Sequence, residues 1–234
     1  MQDEKKVLAL VPAWNEAERI GAVLEELVEN FPVLVVDDGS SDQTASVARS
    51  VGCEVIEHEV NRGKGVALST GFRWARAEGF DAVLTIDADG QHDPTEAPKF
   101  VHAFRRGEGE LIIGRRDFSK MPFIRRLGNC IGSWLLSRVL QIKIYDNQSG
   151  YRLHTRTLLE SLDLQRPGFE FEVDVVAQAV VKKLPIAWVD IRTIYSVDKK
   201  SYFHPLKDSV RFLDMVWQAR KSYQQLRSKN SQTQ

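Results

Sequence analysis

Along the first half of the chain, short unbroken apolar runs alternate with longer stretches of helical spacing. Val7-Leu8-Ala9-Leu10-Val11 is such a run, too short for a helix and suited to a buried strand. Pro12 ends it. Ile20, Val23, Leu24, Leu27 and Val28 then recur at three- and four-residue intervals, the stripe of an amphipathic helix. The alternation continues: Val33–Val36 predicts a second strand, Thr44–Val51 a short helix, Cys53–His58 a third strand and Val66–Ala77 a helix. Ala82–Asp87 predicts a fourth strand, Pro94–Arg105 a helix and Leu111–Ile113 a fifth strand. Such alternation implies an α/β fold, a mostly parallel sheet with helices on both faces. Right-handed crossovers would bring the strand ends to one edge, so Asp38, Asp87, Asp89 and Gly114 are expected on a common rim.

After Gly114 the rhythm stops. Ile124, Leu127, Ile131, Leu135 and Val139 keep helical spacing, while Phe123, Trp134, Leu136 and Leu140 widen the apolar face and Arg125, Arg126 and Arg138 add cations. That pattern suits either a core helix or one lying in an anionic lipid headgroup layer. Asp146–Arg152 reads as a polar turn, Glu170–Lys183 as a helix and Pro185–Tyr195 as a strand. On that strand Ile186, Trp188 and Asp190 fall on one face, with Val189, Ile191 and Thr193 on the other. Leu206, Val210, Leu213 and Trp217 mark a last amphipathic helix, and the tail from Leu226 is polar.

Composition narrows the partners more than the fold. With 43% hydrophobic and 27% charged residues the chain is ordinary globular protein. Its formal net charge is zero, so no global field attracts nucleic acid and the basic clusters are short. Cys53 and Cys130 both lie in apolar runs and are expected as buried free thiols, which fits a reducing compartment. The charged segment Met1–Lys6 is no secretory signal, and no stretch nears the roughly 18 apolar residues of a spanning helix. The expectation is a cytoplasmic protein, free to lie on a membrane surface.

The most telling polar stretch is Asp87-Ala88-Asp89-Gly90-Gln91-His92-Asp93, which follows directly on an apolar strand. Unpaired carboxylates at the end of a buried strand are costly, so three in seven residues call for a cation or water. Hard oxygen donors suit Mg²⁺ or Mn²⁺. Asp87, Asp89 and Gln91 alternate and can converge on one ion, whereas Asp93 or His92 can instead cap the helix after Pro94. Other strand-end loops carry two readings each. Trp14 and Glu16 offer a wall for a base and a carboxylate for a sugar hydroxyl, or Asn15 merely caps a helix. Asp38, next to Asp37, is a candidate for a ribose or base contact, or part of a capped turn. Asn61-Arg62-Gly63-Lys64-Gly65 lacks the P-loop arrangement, which argues against nucleoside triphosphate hydrolysis, and is a ligand loop or a plain turn. Arg115 and Arg116 suit diphosphate or phosphate. Asp146 and Arg152 either close a substrate site or form a salt-bridged turn.

Taken in order, Pro12-Ala13-Trp14-Asn15-Glu16, Asp37-Asp38-Gly39-Ser40, Asn61–Gly65, Asp87–His92, Gly114-Arg115-Arg116, Asp146–Arg152, and Arg192 with Lys199-Lys200-Ser201 resemble the motif series of family 2 glycosyltransferases of GT-A fold. Among these the chain looks most like the polyprenol-phosphate sugar transferases, over roughly residues 7–208. The resemblance implies a single catalytic domain over residues 1–225. Its nucleotide-binding half would be 1–114, its acceptor-side half 115–225, and 226–234 a tail. It implies that Pro12, Trp14, Glu16, Val36, Asp38, Asp87 and Ala88 line a nucleotide pocket. Asp87 and Asp89 would be the family's DXD pair, with Asp89 and Gln91 on the metal. Arg116, Arg192 and Lys200 (or Lys199) would meet phosphates of donor or acceptor. The partners implied are a GDP- or UDP-sugar, a polyprenyl phosphate and a membrane surface. The Arg192-to-Pro205 segment departs from the Gly-x-Ser-Lys form of the mannose enzymes, so the donor sugar is left open. If the acceptor were instead a hydroxyl, Asp146 or Asp93 would have to act as base.

Overall fold

The computed structural model describes residues 5–120, 123–164 and 171–192, together with 217, 220, 221, 223 and 224. Strands β1 (Val7–Ala13), β2 (Val33–Asp37), β3 (Glu54–Glu57) and β4 (Ala82–Thr85) alternate with helices α1 (Ala17–Val28), α2 (Thr44–Ser50) and α3 (Lys64–Ala77). Then come α4 (Ala97–Arg105), β5 (Leu111–Arg116), α5 (Phe123–Leu140), β6 (Arg152–Thr155), α6 (Arg156–Ser161), α7 (Phe171–Val181) and β7 (Ile186–Ile191).

Among the described residues, seven strands form one sheet in the order β3-β2-β1-β4-β6-β5-β7. Only β6 runs against its neighbours, pairing antiparallel with β4 (Leu84 opposite Leu153) and with β5 (Ile112 opposite Leu153). Two reversals cancel, so β5 runs with β4, and the carboxyl ends of β1, β2, β4, β5 and β7 open on one rim. The amino end of β6, at Arg152, arrives at that same rim. The mostly parallel sheet and the shared rim expected from the pattern are therefore present.

Side chains alternate across the sheet and feed two cores. Val7, Ala9, Val11, Leu84, Ile112 and Leu153 pack with α1 and α4 through Leu24, Leu27 and Phe100. Leu8, Leu10, Val83, Leu111 and Ile113 pack on the opposite face with Phe72 of α3, Leu136 of α5, Leu158 of α6 and Val176 of α7. In β7, Val189 and Ile191 join the first core and Ile186 and Trp188 the second, the split that its alternation predicts.

Several local expectations change. β4 stops at Thr85: the Ile86 N–H makes the last bond to β1, at the Leu10 carbonyl (3.1 Å), and Asp87 begins the acidic turn. The helix expected from Pro94 begins as a 3-10 turn, Pro94–Glu96, before α4. β6 and α6 occupy a stretch that carries no strand signal. A polar turn does precede β6, but Arg152, expected in that turn, is its first residue and is 1% exposed. Cys53 is buried as expected, whereas Cys130 is exposed on α5. On the outer side of α5, Leu127, Ile131 and Trp134 are 50%, 46% and 57% exposed, while Leu136 and Leu140 face the core. Among the described residues no helix is long and apolar enough to cross a membrane. Lys199, Lys200, Ser201 and the expected helix from Leu206 to Val210 and Leu213 lie outside the described residues.

Candidate active site

The two loops that follow β1 and β2 are sewn together. Asn15 takes a left-handed backbone (φ 54°). Its N–H donates to Ser40 Oγ (2.9 Å), and its side-chain oxygen accepts the Ser41 N–H (2.8 Å). Glu16 N–H donates to Thr44 Oγ1 (2.9 Å) and Ala17 N–H to Asp42 (3.1 Å). Asn15 thus ties down the neighbouring loop and does not cap α1 as its sequence position suggested; the N-cap is Glu16, and the first helical N–H, of Ala17, is satisfied by Asp42. Trp14 stands 53% exposed on this braced rim, and Glu16 pairs with Arg19 at 2.5 Å. Pro12 is buried, as are Val36 and Ala88, whose side chains belong to the core. Val36 and Ala88 are 0% and 3% exposed, so neither offers a ligand an open surface.

Adjacent acids at the end of β2 do different work. Asp37 accepts the Ser40 N–H across the turn (2.9 Å). Asp38, 2% exposed, accepts from the main-chain N–H groups of Arg62 (3.0 Å) and Gly63 (2.6 Å). His58 Nδ1 lies 2.7 Å from the same carboxylate, and its Nε2 lies 3.1 Å from Thr70 Oγ1. Between the acids and Ser40, Gly39 sits at φ +72°, where a Cβ would fall 2.4 Å from the Val60 carbonyl carbon. Asp38 therefore clamps the loop that opens α3. That clamp delivers Lys64, whose Nζ is 2.5 Å from Asp87 Oδ1 and 3.0 Å from Glu172 Oε1 at the start of α7.

At the acidic turn, burial would push the Asp87 carboxyl up, but the Lys64 ammonium, with His92, outweighs it and holds the group below the usual carboxylate range. Lys64 is correspondingly raised: burial opposes its charge, but Glu172 and Asp87 more than offset this. Asp89 accepts from the Gln91 N–H (3.0 Å) and the Gln91 side-chain amide (2.6 Å), so these two residues form one unit. His92 is buried and depressed by that burial, with Nδ1 unpartnered and Nε2 3.8 Å from Asp87. The charges of Asp87, Arg116, Asp89 and Lys64 all bear electrostatically on its ring. Asp93 is the cap: its carboxylate accepts Thr95 N–H (3.0 Å) and Thr95 Oγ1 (2.6 Å).

Cations face this turn from β5, β6 and β7. Arg116 makes a forked pair with Asp146, Nε to Oδ2 at 2.6 Å and Nη2 to Oδ1 at 2.9 Å, with Asp146 fully buried. Asp146 also accepts the Gln148 N–H (3.0 Å). Arg115 turns outward to Asp190. Arg192 reaches Glu96 (2.6 Å) and Asp93 (3.3 Å) from the end of β7. Arg152 spends its guanidinium on three main-chain carbonyls, those of Ser149 (2.7 Å), Glu172 (2.7 Å) and Asn147 (3.3 Å).

Asp87, Ala88, Asp89, Gln91, Arg116, Asp146 and Arg192 thus come to one rim with Trp14, Glu16 and Asp38; Lys200 lies outside the described residues. Among the described residues no three His, Cys, Asp or Glu side chains gather as a closed metal site. Two carboxylates and an amide suit a hard divalent ion that takes its other ligands from a bound phosphate or water. Sequence reasoning passed over Glu172, whose signal is only an acid in the first turn of a helix. It left Lys64 undecided, although a cation between two glycines was visible.

Residues 9–162 match the family model for glycosyl transferase family 2. A UDP-N-acetylglucosamine–dolichyl-phosphate N-acetylglucosaminyltransferase of Methanococcus voltae is 30% identical over 82% of this chain and 87% of its own. An undecaprenyl-phosphate mannosyltransferase of Micrococcus luteus is 31% identical over 79% of this chain and 84% of its own. Among solved structures, glucosyl-3-phosphoglycerate synthase of Mycobacterium tuberculosis superposes with a TM-score of 0.72 at 23% identity, over 93% of this chain and 80% of that one. The same enzyme with Mn²⁺, UDP and its product superposes with a TM-score of 0.70 at 22% identity, over 96% of this chain and 80% of that one.

Proposed function

The chain belongs to glycosyl transferase family 2, and from that premise we propose that it transfers a sugar from a UDP- or GDP-sugar to a polyprenyl phosphate. The reaction proposed is metal-dependent and inverting. The observation that carries the acceptor class is the engagement of the carboxylates a hydroxyl acceptor would need. Asp146 gives both oxygens to Arg116, and Asp93 caps Thr95 and meets Arg192. A phosphate monoester is already anionic and needs no base, whereas a sugar hydroxyl does. The relatives named for dolichyl and undecaprenyl phosphates support the same acceptor.

In this reading Trp14 walls the base, while Asp38 holds the loop that carries Lys64 beside the diphosphate. Asp89 and Gln91, with Asp87, would hold Mg²⁺ or Mn²⁺, which would supply positive charge to offset the negative charge of the leaving nucleoside diphosphate. Arg116, fixed by Asp146, and Arg192 with Lys200 offset the repulsion between donor and acceptor phosphates. An acceptor phosphate oxygen forms the new bond to the anomeric carbon from the side opposite the departing diphosphate. The bond from that carbon to the diphosphate breaks, its electron pair leaving with the nucleotide, so the configuration inverts. The outer stripe of α5, Leu127, Ile131 and Trp134, is suited to rest on the cytoplasmic face of the membrane that carries the lipid.

A panel of labelled UDP- and GDP-sugars tests this reading. Each is offered with Mg²⁺ or Mn²⁺ and either polyprenyl phosphate or a soluble hydroxyl acceptor, and product is extracted into organic solvent. Label is expected in the lipid product, lost on chelation and reduced roughly 100-fold or more by Asp89→Ala. Transfer to the soluble acceptor alone, or full turnover by Asp89→Ala, overturns it. Nucleotide binding without transfer to any acceptor would instead identify a silent binding subunit.

A further inference from the structure

Gly150 lies where the chain passes close against Asp87. A Cβ built on Gly150 falls 2.4 Å from Asp87 Oδ2, 2.7 Å from Oδ1 and 2.8 Å from the carboxyl carbon, and these are its three nearest atoms. Ordinary contact begins at 3.4 Å, so one methyl group demands a retreat of about 1 Å, the difference from 2.4 Å. Gly150 is not among the glycines with positive φ, so its backbone does not call for glycine. The space beside Asp87 does.

The wall behind that space is pinned. The Gly150 carbonyl accepts the Thr85 hydroxyl (2.9 Å). The preceding carbonyl, of Ser149, accepts Arg152 Nε (2.7 Å), and Arg152 is itself buried and tied to Asn147 and Glu172. On its other sides Asp87 meets Lys64 Nζ (2.5 Å) and His92 Nε2 (3.8 Å). A side chain at position 150 would therefore move the carboxylate rather than the wall.

We propose that Gly150 is a positioning residue for Asp87, its bare main chain serving as the stop that sets where this carboxylate stands in the donor seat. The inference rests on the reading of Asp87 as part of that seat. A displacement near 1 Å in such a site costs roughly 100-fold.

The test is a double-mutant cycle of Gly150→Ala and Asp87→Ala, read first as thermal unfolding of the metal-free protein. Gly150→Ala is expected to lower the melting temperature when Asp87 is present and to leave it unchanged on the Asp87→Ala background, because the obstructing carboxyl is gone. Equal losses on both backgrounds, or no loss on either, overturn the proposal. If Gly150→Ala does not fold, recovery of folded protein by the added Asp87→Ala supports it, and failure of the double variant overturns it. The second readout is calorimetric binding of UDP and of GDP in the presence of Mn²⁺. Gly150→Ala is expected to weaken the nucleotide that binds by roughly tenfold or more, with no further weakening once Asp87 is Ala. Coupled melting with equal nucleotide affinity in wild type and Asp87→Ala would keep Gly150 as the stop for Asp87 while removing Asp87 from the donor seat.

Discussion

Arg116 and Asp146 show how a single ion pair fixes the direction of a cation. Their forked geometry uses two N–H groups and both carboxylate oxygens, which a lysine's point charge cannot reproduce. Arg116→Lys is expected to lower kcat/KM roughly 10- to 100-fold, and Asp146→Asn to fall in the same range. Because each acts through the other, the double variant should lose little more than either single one, measured as a kinetic cycle. Single residues also set the response to acid. Burial depresses His154 to about 3, with Arg152 adding to the effect. Unfolded, the imidazole takes a proton near its ordinary 6.5, and folded it does not until about pH 3. The unfolded chain binds the extra proton within that window, so stability falls as pH falls, by about 1.4 kcal/mol per pH unit for one group. Denaturant melts between pH 6.5 and 4 should show this slope reduced by one proton in His154→Leu. At this scale the sequence revealed residue types but not partners. Asp38 stood out as an acid at a rim and Asp146 as an acid in a polar turn, yet only the fold shows them engaged by Arg62, Gly63, His58 and Arg116.

Elements with one strong period were legible from the residues. β1, β2 and β4 are short apolar runs because both of their faces are covered, and α1 and α4 carry clean stripes. β6 was not legible, for a physical reason. It has four residues, two of them Arg152 and His154, and it is central. Its polar groups are tolerated because Arg152 finds three carbonyls, two in the turn just before it and one at Glu172, and because His154 packs with tilted rings on Phe72 of α3 at 4.8 Å. Helix α5 was half legible: its wide apolar face fits a core helix and a surface helix alike, and the structure divides it between the two. Replacing Leu127, Ile131 and Trp134 together by Ser is expected to weaken binding to anionic lipid vesicles by about tenfold or more, read by sedimentation. The melting temperature should move little, because these side chains are exposed.

Across the whole molecule, the proposed donor seat gathers residues distant in sequence: Trp14, Lys64, Asp87, Gln91 and Arg116 around one rim, with Glu172 and Arg192 beyond. Nucleotide and metal held there stabilise the folded chain by mass action. Ligand at 100 times its dissociation constant contributes about 2.7 kcal/mol. For a chain of 234 residues that corresponds to a rise of roughly 5–10 °C in Tm. Fluorimetric melting with Mn²⁺ and UDP or GDP should show the rise for the matching nucleotide, and chelation should abolish it.

The insertion of β6 between β4 and β5 also sets an order on synthesis. The ribosome completes β1 to β4 well before it reaches residues 152–155, yet β4 has no partner on its outer side until they emerge. Until then a fully apolar strand, Ala82-Val83-Leu84 with Thr85, presents open N–H and C=O groups, a template for pairing with another chain. The nascent protein thus passes through an interval of about 70 residues, or several seconds of translation, in which it depends on holdase chaperones or on haste. A chain ended just after Gly150 is frozen in that interval and should aggregate, while one that runs on through α7 and β7 has closed the edge.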